Sequence, residues 1–404
     1  MPMTMNKNIS KNQENFELCF STSHKPSFSR LISSLLLLGI VVLYALICWR
    51  AYRELPNPMD EFIILNRASW FLRGHSFPLA QYPPFPYLFY GFFLFLAHGI
   101  STHILLVGRV VNLCLLLLNL FLFFRVSLPH TGRNWALFSV FLFASTPLVV
   151  FSGVFVKTEG MILSEVLALM LCLGLLNEEK AKTWATIFSG VLCAVGITTK
   201  YSLMLPIMYI LLTGYLYVVK KREKRIFFRY SLFVAAFIIT FILIWPNFVD
   251  QIYNWHSANY NDDYFARGPS VLRAVDEPWA FPYGKYSYAL CLIIPFSLGP
   301  LVFILSLLSL RGRKTPPLVP AVAYVSFFLG FMIVANVTLV RYFWVFTLLA
   351  PPAVLLSVIK LRALFNSNSI WNRRIAAFLI AIMVSVQGVS TPAPRSRSHR
   401  WVDH

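Results

Sequence analysis

The chain has 404 residues, 58% of them hydrophobic and 13% charged, with a mean hydropathy of +0.67. A soluble domain carries about 45–50% apolar and about 25% charged residues, so a soluble globular fold is excluded and a polytopic membrane protein is expected. The formal net charge of +19 calls for no nucleic-acid partner, because Lys and Arg gather in short connections between apolar runs, where they set topology.

Residues 1–30 form a polar tail, with Lys25 and Arg30 just before the first apolar run at 31–49. That run is longer than a secretory h-region and lacks an A-x-A cleavage pattern, so it reads as a retained anchor with a cytoplasmic N-terminus. Asp60 and Glu61 follow it closely. Further apolar runs lie at 104–124, 135–153, 160–176, 184–199, 202–219, 230–248, 287–310, 318–337, 343–359 and 375–389. Between them fall the basic clusters Lys220-Lys221-Arg222-Glu223-Lys224-Arg225, Arg311-Gly312-Arg313-Lys314, Lys360 with Arg362, and Arg373-Arg374.

Parity decides the remaining apolar stretch, 86–100. If it spanned, these clusters would face outward against the positive-inside rule; if it lies at the surface or re-enters, they fall inside. It is short, opened by Pro83, Pro84 and Pro86, rich in aromatics and ended by His98, all features of an interfacial segment. The expected fold is therefore an all-α integral membrane bundle of about 11 transmembrane helices, with two interfacial juxtamembrane helices in a first outer loop at 50–103. A late outer loop covers 249–286. The membrane domain is expected over 31–391, followed by a tail at 392–404 whose RSRSHR run falls outside on the same parity. The six cysteines lie mostly within apolar runs, without CxxC or CxxH spacing, and indicate neither a zinc site nor a disulfide framework.

Asn57-Pro58-Met59-Asp60 reads as a helix start, with Asn57 as N-cap and Pro58 at the first helical position. Acids in a first turn satisfy free N–H groups and the helix dipole, which is the plain reading of Asp60 and Glu61. The helix continues with Phe62, Ile63, Trp70 and Phe71, so it is expected to lie along the interface and to hold the carboxylates at headgroup depth. Partial burial there would favour a general base.

Glu159, in VFVKTEGMIL, stands between two apolar runs on the same side, with Lys157 beside it as one candidate ion-pair partner and Glu165 deeper in the next helix. Lys200, Arg341 and Arg109 are cations on that side. Each can snorkel to the interface, and each without an acid beside it invites an anionic ligand. The late loop mixes His256, Tyr260, Asp262 and Asp263 with Trp and Tyr, a composition suited to sugar faces and equally to an interfacial belt. No P-loop, GxGxxG, GxSxG or HExxH occurs.

Taken together, the chain resembles the membrane-embedded C-type (GT-C) glycosyltransferases that use polyprenyl-phosphate sugars, particularly the protein O-mannosyltransferase and lipid A aminoarabinose transferase group. The matching pieces are Asp60-Glu61, NRASWFLRGHSFP, YPPFPYLFYGFFLFLAHG, Arg109, VKTEGMIL, ITTKYSLMLP and RYFWVF, in order over most of 31–360. Relatives often have Gly where this chain has Tyr201, and many have Asp where it has Glu159.

The resemblance implies transfer of a sugar from a polyprenyl-phosphate donor on the outer, periplasmic face of a bacterial inner membrane, with inversion. Asp60 would be the base. Glu61 and Glu159 would support it by orienting the acceptor or, as in some relatives, by holding a divalent ion (Mg or Mn), if one is needed. Lys200, Arg341 and Arg109 would meet the donor phosphate. Tyr82, His256, Tyr260, Asp262 and Asp263 are the expected acceptor or sugar contacts. Short outer loops offer little grip on a folded protein, so a lipid or carbohydrate acceptor is expected. The alternatives are a transporter or flippase of a lipid-linked sugar, which would place polar groups mid-helix in paired halves, and a polysaccharide polymerase or ligase centred on the late loop.

Overall fold

A computed structural model of the protein describes residues 38–39, 42, 45–46, 59–73, 83–97, 103–176, 183–200, 204–220, 226–250, 298–310 and 349–389. All the described elements from residue 43 onward belong to one unit, Leu43–His404; in the separate unit Met1–Val42, the described residues are helical. Among the described residues every regular element is a helix.

Helices α1 (Met59–Leu72) and α2 (Phe85–Ala97) pack against each other. Gly91 lies at their contact, where a Cβ would meet the Ala68 carbonyl at an ordinary 3.4 Å. The buried side of the pair, Ile64, Leu65, Ala68, Tyr90 and Leu94, packs on Val111 and Leu115 of α3 and on Val156 and Met161. Its other side leaves Phe92, Phe95 and Leu96 exposed, as expected of helices that lie in an apolar environment.

Helix α3 (Ile104–Thr131) has 28 residues and is about 42 Å long at the α-helical rise, enough to cross a hydrocarbon core of about 30 Å. It runs past the end expected at residue 124. It stops at Gly132, whose φ of +77° is accessible to glycine at little cost, and the chain turns directly into α4 (Arg133–Ala144).

The apolar run at 135–153 is two helices rather than one. Pro147 has no N–H to continue the ladder and disfavours helical backbone before it. The chain therefore breaks at Ser145 and Thr146, which turn their hydroxyls back onto Phe141 and Leu142 carbonyls, and restarts as α5 (Pro147–Val154).

Helices α6 (Thr158–Leu176), α7 (Thr183–Lys200), α8 (Met204–Lys220) and α9 (Ile226–Ile244) follow the sequence expectation closely. The contact between α7 and α9 is made backbone to backbone: a Cβ on Gly190 would come within 2.5 Å of the Phe233 carbonyl oxygen. Small residues at such crossings are the ordinary means of helix association where no hydrophobic drive exists between helices. Phe233 also stacks on Tyr209 of α8, centroids 4.0 Å apart.

Beyond them lie α10 (Pro300–Leu310), α11 (Ala350–Phe365) and α12 (Ile370–Val389). Helix α11 is buried almost all round among α3, α4, α10 and α12, and Arg362 in its last turn donates to the His130 carbonyl at the end of α3.

Among the described residues, three helices are long and apolar enough to cross a membrane, at Ile104–Thr131, Thr158–Leu176 and Phe227–Ile244. Three shorter apolar ones lie at Phe85–Ala97, Leu205–Tyr215 and Pro300–Leu310. The runs at 318–337 and the greater part of 31–49, the late loop beyond residue 250 and both tails lie outside the described residues.

Candidate active site

At one end of the bundle α1, α3 and α6 begin and α7 ends, and four charged side chains meet there in two pairs. Glu61 is fully buried and receives Arg109 as a fork, Nε to Oε1 at 3.1 Å and Nη2 to Oε2 at 2.7 Å. Its Oε1 also accepts the backbone N–H of Val156 at 2.7 Å. A bidentate guanidinium–carboxylate pair is stronger and more directional than a point-charge contact. Here it ties the first turn of α1 both to α3 and to the connection that leads into α6. Gly108 permits the approach: a Cβ there would lie 2.6 Å from Leu65 Cδ2.

The second pair is Glu159, in the first turn of α6, with Lys200, the last residue of α7. Glu159 accepts from Lys200 Nζ through Oε1, and Thr158 Oγ1 reaches its Oε2 at 3.4 Å. The carboxylate also sits where an α-helix N-terminus favours a negative charge, and Lys157 adds a further positive charge nearby. The lysine side chain remains 27% exposed. One of its three N–H donors is used on Glu159, leaving the ammonium able to meet an outside anion.

Between the pairs stands Tyr90 of α2, 1% exposed, whose hydroxyl donates to Asn112 Oδ1 at 3.3 Å. Burial first, and then the negative charges of Glu61 and Glu159, push this phenol above its ordinary range. Asn112 is one turn beyond Arg109 on α3 and donates through Nδ2 to the carbonyls of Ser152, Gly153 and Phe155 at 2.8, 3.0 and 2.7 Å. A further two turns along the same face, Asn119 donates to the Gly160 carbonyl at 3.0 Å, while its own Oδ1 is buried without a hydrogen-bond partner. Deeper between α6 and α7, Glu165 accepts from Thr199 Oγ1 at 2.8 Å; its other oxygen is likewise buried without a partner.

Of the residues singled out in the sequence, the structure brings together Glu61, Arg109, Glu159 and Lys200. Glu159 was matched to Lys157, whereas the ion pair it forms is with Lys200, because the antiparallel α6–α7 pair carries residue 200 back to residue 159. By the same contact Lys200 has an acid against it and is not an unaccompanied cation. Arg109, expected at the donor phosphate, lies against Glu61 with its side chain 5% exposed.

The backbone of Asp60 lies in the first turn of α1, while its side chain is outside the described residues, as are Tyr82, His256, Tyr260, Asp262, Asp263 and Arg341. Tyr90, Asn112 and Asn119 were not singled out from the sequence. The available signal was Arg109, Asn112 and Asn119 recurring on one helical face of an otherwise apolar run.

Among the described residues no group of three or more His, Cys, Asp or Glu could hold a metal ion. Both oxygens of Glu61 are taken by Arg109 and Val156, and Glu159 is taken by Lys200. As they stand, these two carboxylates fit a divalent cation poorly.

No curated protein matches the chain in sequence. Among solved structures it is similar to ArnT, the lipid A aminoarabinose transferase, from Cupriavidus metallidurans bound to undecaprenyl phosphate: 14% identity, TM-score 0.61, covering 86% of this chain and 63% of that one. The apo form of the same protein matches with 15% identity and TM-score 0.53, covering 87% and 70% of the two chains. The apo oligosaccharyltransferase of Archaeoglobus fulgidus matches with 12% identity and TM-score 0.52, covering 90% of this chain and 55% of that one. The chain thus spans under two thirds of the undecaprenyl-phosphate-bound ArnT, and at these identities the likeness shows the fold.

One family profile, described as predicted membrane protein (DUF2142), matches residues 67–268, half of the chain, a stretch that includes Arg109, Glu159 and Lys200. The chain therefore belongs to the DUF2142 family of predicted membrane proteins, and its fold is that of the C-type membrane glycosyltransferases.

Proposed function

We propose that this protein is a membrane glycosyltransferase that moves a sugar from a polyprenyl-phosphate donor to a lipid or carbohydrate acceptor. The observation that carries the reading is the meeting of Glu61–Arg109 and Glu159–Lys200 at one end of the bundle, beside the Asp60 backbone, in a chain folded like ArnT. That relative was solved with undecaprenyl phosphate bound, which supports a lipid-linked donor.

Asp60 is the general base. It takes the proton of an acceptor O–H or N–H as the acceptor atom attacks the anomeric carbon. The bond from that carbon to the donor phosphate oxygen breaks on the opposite face, so the configuration inverts. The leaving polyprenyl phosphate keeps the bonding electrons and gains one negative charge, which Lys200 and Arg341 stabilise as it develops. Glu159 holds the Lys200 ammonium in place and lowers its tendency to pair elsewhere. Glu61, with both oxygens held by Arg109 and Val156, fixes the helix that carries Asp60. No step is routed through a divalent ion. Tyr82, His256, Tyr260, Asp262 and Asp263 contact the acceptor or the sugar.

The proposed architecture is the bundle of about 11 spanning helices, with α1 and α2 lying in the interface of the outer face and the basic clusters inside. A bacterial inner membrane with the site on the periplasmic face suits a polyprenyl-phosphate donor.

The test compares purified wild type and Asp60→Asn for transfer from a panel of radiolabelled polyprenyl-phosphate sugars into membrane lipids. Transfer by the wild type is expected to fall by about 10²-fold or more in the variant. Equal turnover by both would remove Asp60 from the chemistry. No transfer by either, with movement of the labelled lipid across vesicles, would replace the transferase by a flippase.

A further inference from the structure

The crossing between α5 and α6 is three residues long, Phe155, Val156 and Lys157, and the acid Glu159 follows it at once. A helix end leaves its last carbonyls without intrahelical partners, and those of α5 are inside the bundle, where no solvent is available to take them. One side chain of another helix meets this need. The carboxamide of Asn112 donates to Ser152 and Gly153 in the last turn of α5 and to Phe155 in the crossing. Its two N–H groups thus serve three acceptors, so one is shared.

The orientation of the carboxamide is fixed from its other end. Tyr90 can donate its hydroxyl only to an oxygen lone pair here, and it does so to Asn112 Oδ1, which leaves the nitrogen for the carbonyls. The close fit extends to α6: a Cβ on Gly160 would lie 3.3 Å from Asn112 Oδ1 and 3.1 Å from the Ser152 carbonyl. The next residue along the crossing, Val156, is held by Glu61. Asn119 holds the Gly160 carbonyl from further along the same face of α3. Hydrogen bonds from α1 and α3 thus hold the crossing and the start of α6, and Asn112 supplies three of them.

We infer that Asn112 is a positioning residue for Glu159, setting through the α5 carbonyls and the Tyr90 hydroxyl where α6 begins and so where the Glu159 carboxylate meets Lys200. The inference rests on the transferase reading only for what Glu159 then does. Displacement of a reacting group by about 1 Å costs up to about 10²-fold in rate, so loss of this anchor lowers turnover without removing any group that touches substrate.

The test needs a readout of the Glu159–Lys200 contact itself. A water-soluble carbodiimide joins a carboxylate and an amine in contact as an amide, and peptide mass spectrometry of the treated protein in detergent measures the yield of the 159–200 link; Glu159→Gln, which has no carboxylate, identifies the link. The variants are Asn112→Ala and Asn112→Asp, the latter of nearly the same outline but without the amide N–H groups, together with Tyr90→Phe. Leu355→Ala is the control, a fully buried site in α11 that lowers thermal stability without touching the crossing.

The expected result is a fall in 159–200 link yield of about threefold or more in both Asn112 variants, a smaller fall in Tyr90→Phe, and turnover reduced by about 10–100-fold with donor KM little changed. Leu355→Ala holds both readouts at matched loss of stability. A wild-type link yield in both Asn112 variants overturns the inference, and so does an equal fall in Leu355→Ala. If wild type transfers no sugar while the link still falls in the Asn112 variants, the positioning of Glu159 by Asn112 stands and the transferase reading fails.

Discussion

The Glu61–Arg109 pair sets a measurable energy at the heart of the fold. The two side chains are 0% and 5% exposed, so removing one partner leaves the other charged and buried, at a cost of about 3–5 kcal/mol. Arg109→Met strands the carboxylate with only the Val156 N–H. Glu61→Gln keeps an acceptor for that N–H but takes the bidentate carboxylate from the guanidinium. In the double variant Glu61→Gln, Arg109→Met no charge is left, and the residual loss is an amide NH₂ without a partner, about 1–3 kcal/mol. The double variant is thus expected to be more stable than either single variant, and the cycle to show a coupling of about 5 kcal/mol. Equilibrium unfolding in mixed detergent micelles measures all four proteins under one condition. A coupling below about 1 kcal/mol, or a double variant weaker than both singles, would refute the claim that these residues form one buried unit.

Three further outcomes follow from the packing and the charges. Gly190→Ala places a Cβ 2.5 Å from the Phe233 carbonyl oxygen, a backbone atom that cannot rotate away; it should destabilise by about 1–3 kcal/mol. Gly174→Ala, with nothing within 4 Å of its Cβ, should be neutral or stabilise by up to about 1 kcal/mol; similar melting shifts for the two would contradict the packing of α7 on α9. The raised Tyr90 phenol means that folding holds its proton more tightly than the unfolded chain does. Its share of stability is therefore complete below the ordinary pKa of 10 and falls as pH rises above it, by up to about 1.4 kcal/mol per pH unit. Tyr90→Phe should flatten the stability–pH curve above pH 10 by that amount, whatever its stability at neutral pH, and an unchanged slope would argue against burial of the hydroxyl. Finally, in a cysteine-free background, Arg73→Cys should react with an impermeant maleimide in intact cells and Glu223→Cys only after permeabilisation; the reverse pattern would overturn the sidedness of the basic loops.

Much of this was legible in the chain, and what was not has a common cause. Sparse charge in an apolar sequence made each acid and cation conspicuous, so Glu61, Arg109, Glu159 and Lys200 were marked without any structure. Their pairing was not, because the partners are 48 and 41 residues apart and depend on which helices lie side by side. Lys157 is the nearer cation to Glu159 in sequence and adds positive charge beside it, but the hydrogen-bonded ion pair is made with Lys200. Helix boundaries were read well where hydropathy changed sharply, as for α6 and α7. At 135–153 hydropathy stayed high through Ser145, Thr146 and Pro147, and only the backbone chemistry of proline reveals the break. Asn112 was hidden for a different reason: with Arg109 and Asn119 it marks one polar face on a long apolar helix, but what that face does depends on the carbonyls that another helix leaves beside it.

The burial of α11 bears on how the protein is made. Its residues from Ala350 to Val358 are buried without interruption, yet they are synthesised after α3 and α4, the walls they pack against. Until they arrive, the sides of α3 and α4 that they cover face acyl chains. That wait is tolerable in a bilayer, since lipid is as apolar as the helix that replaces it; in water the same surface would aggregate. Assembly therefore ends with a late helix displacing lipid from a prepared groove, and its closing contacts are polar ones that lipid chains cannot imitate: the Ser357 hydroxyl on the Val302 carbonyl at 2.7 Å and Arg362 on His130.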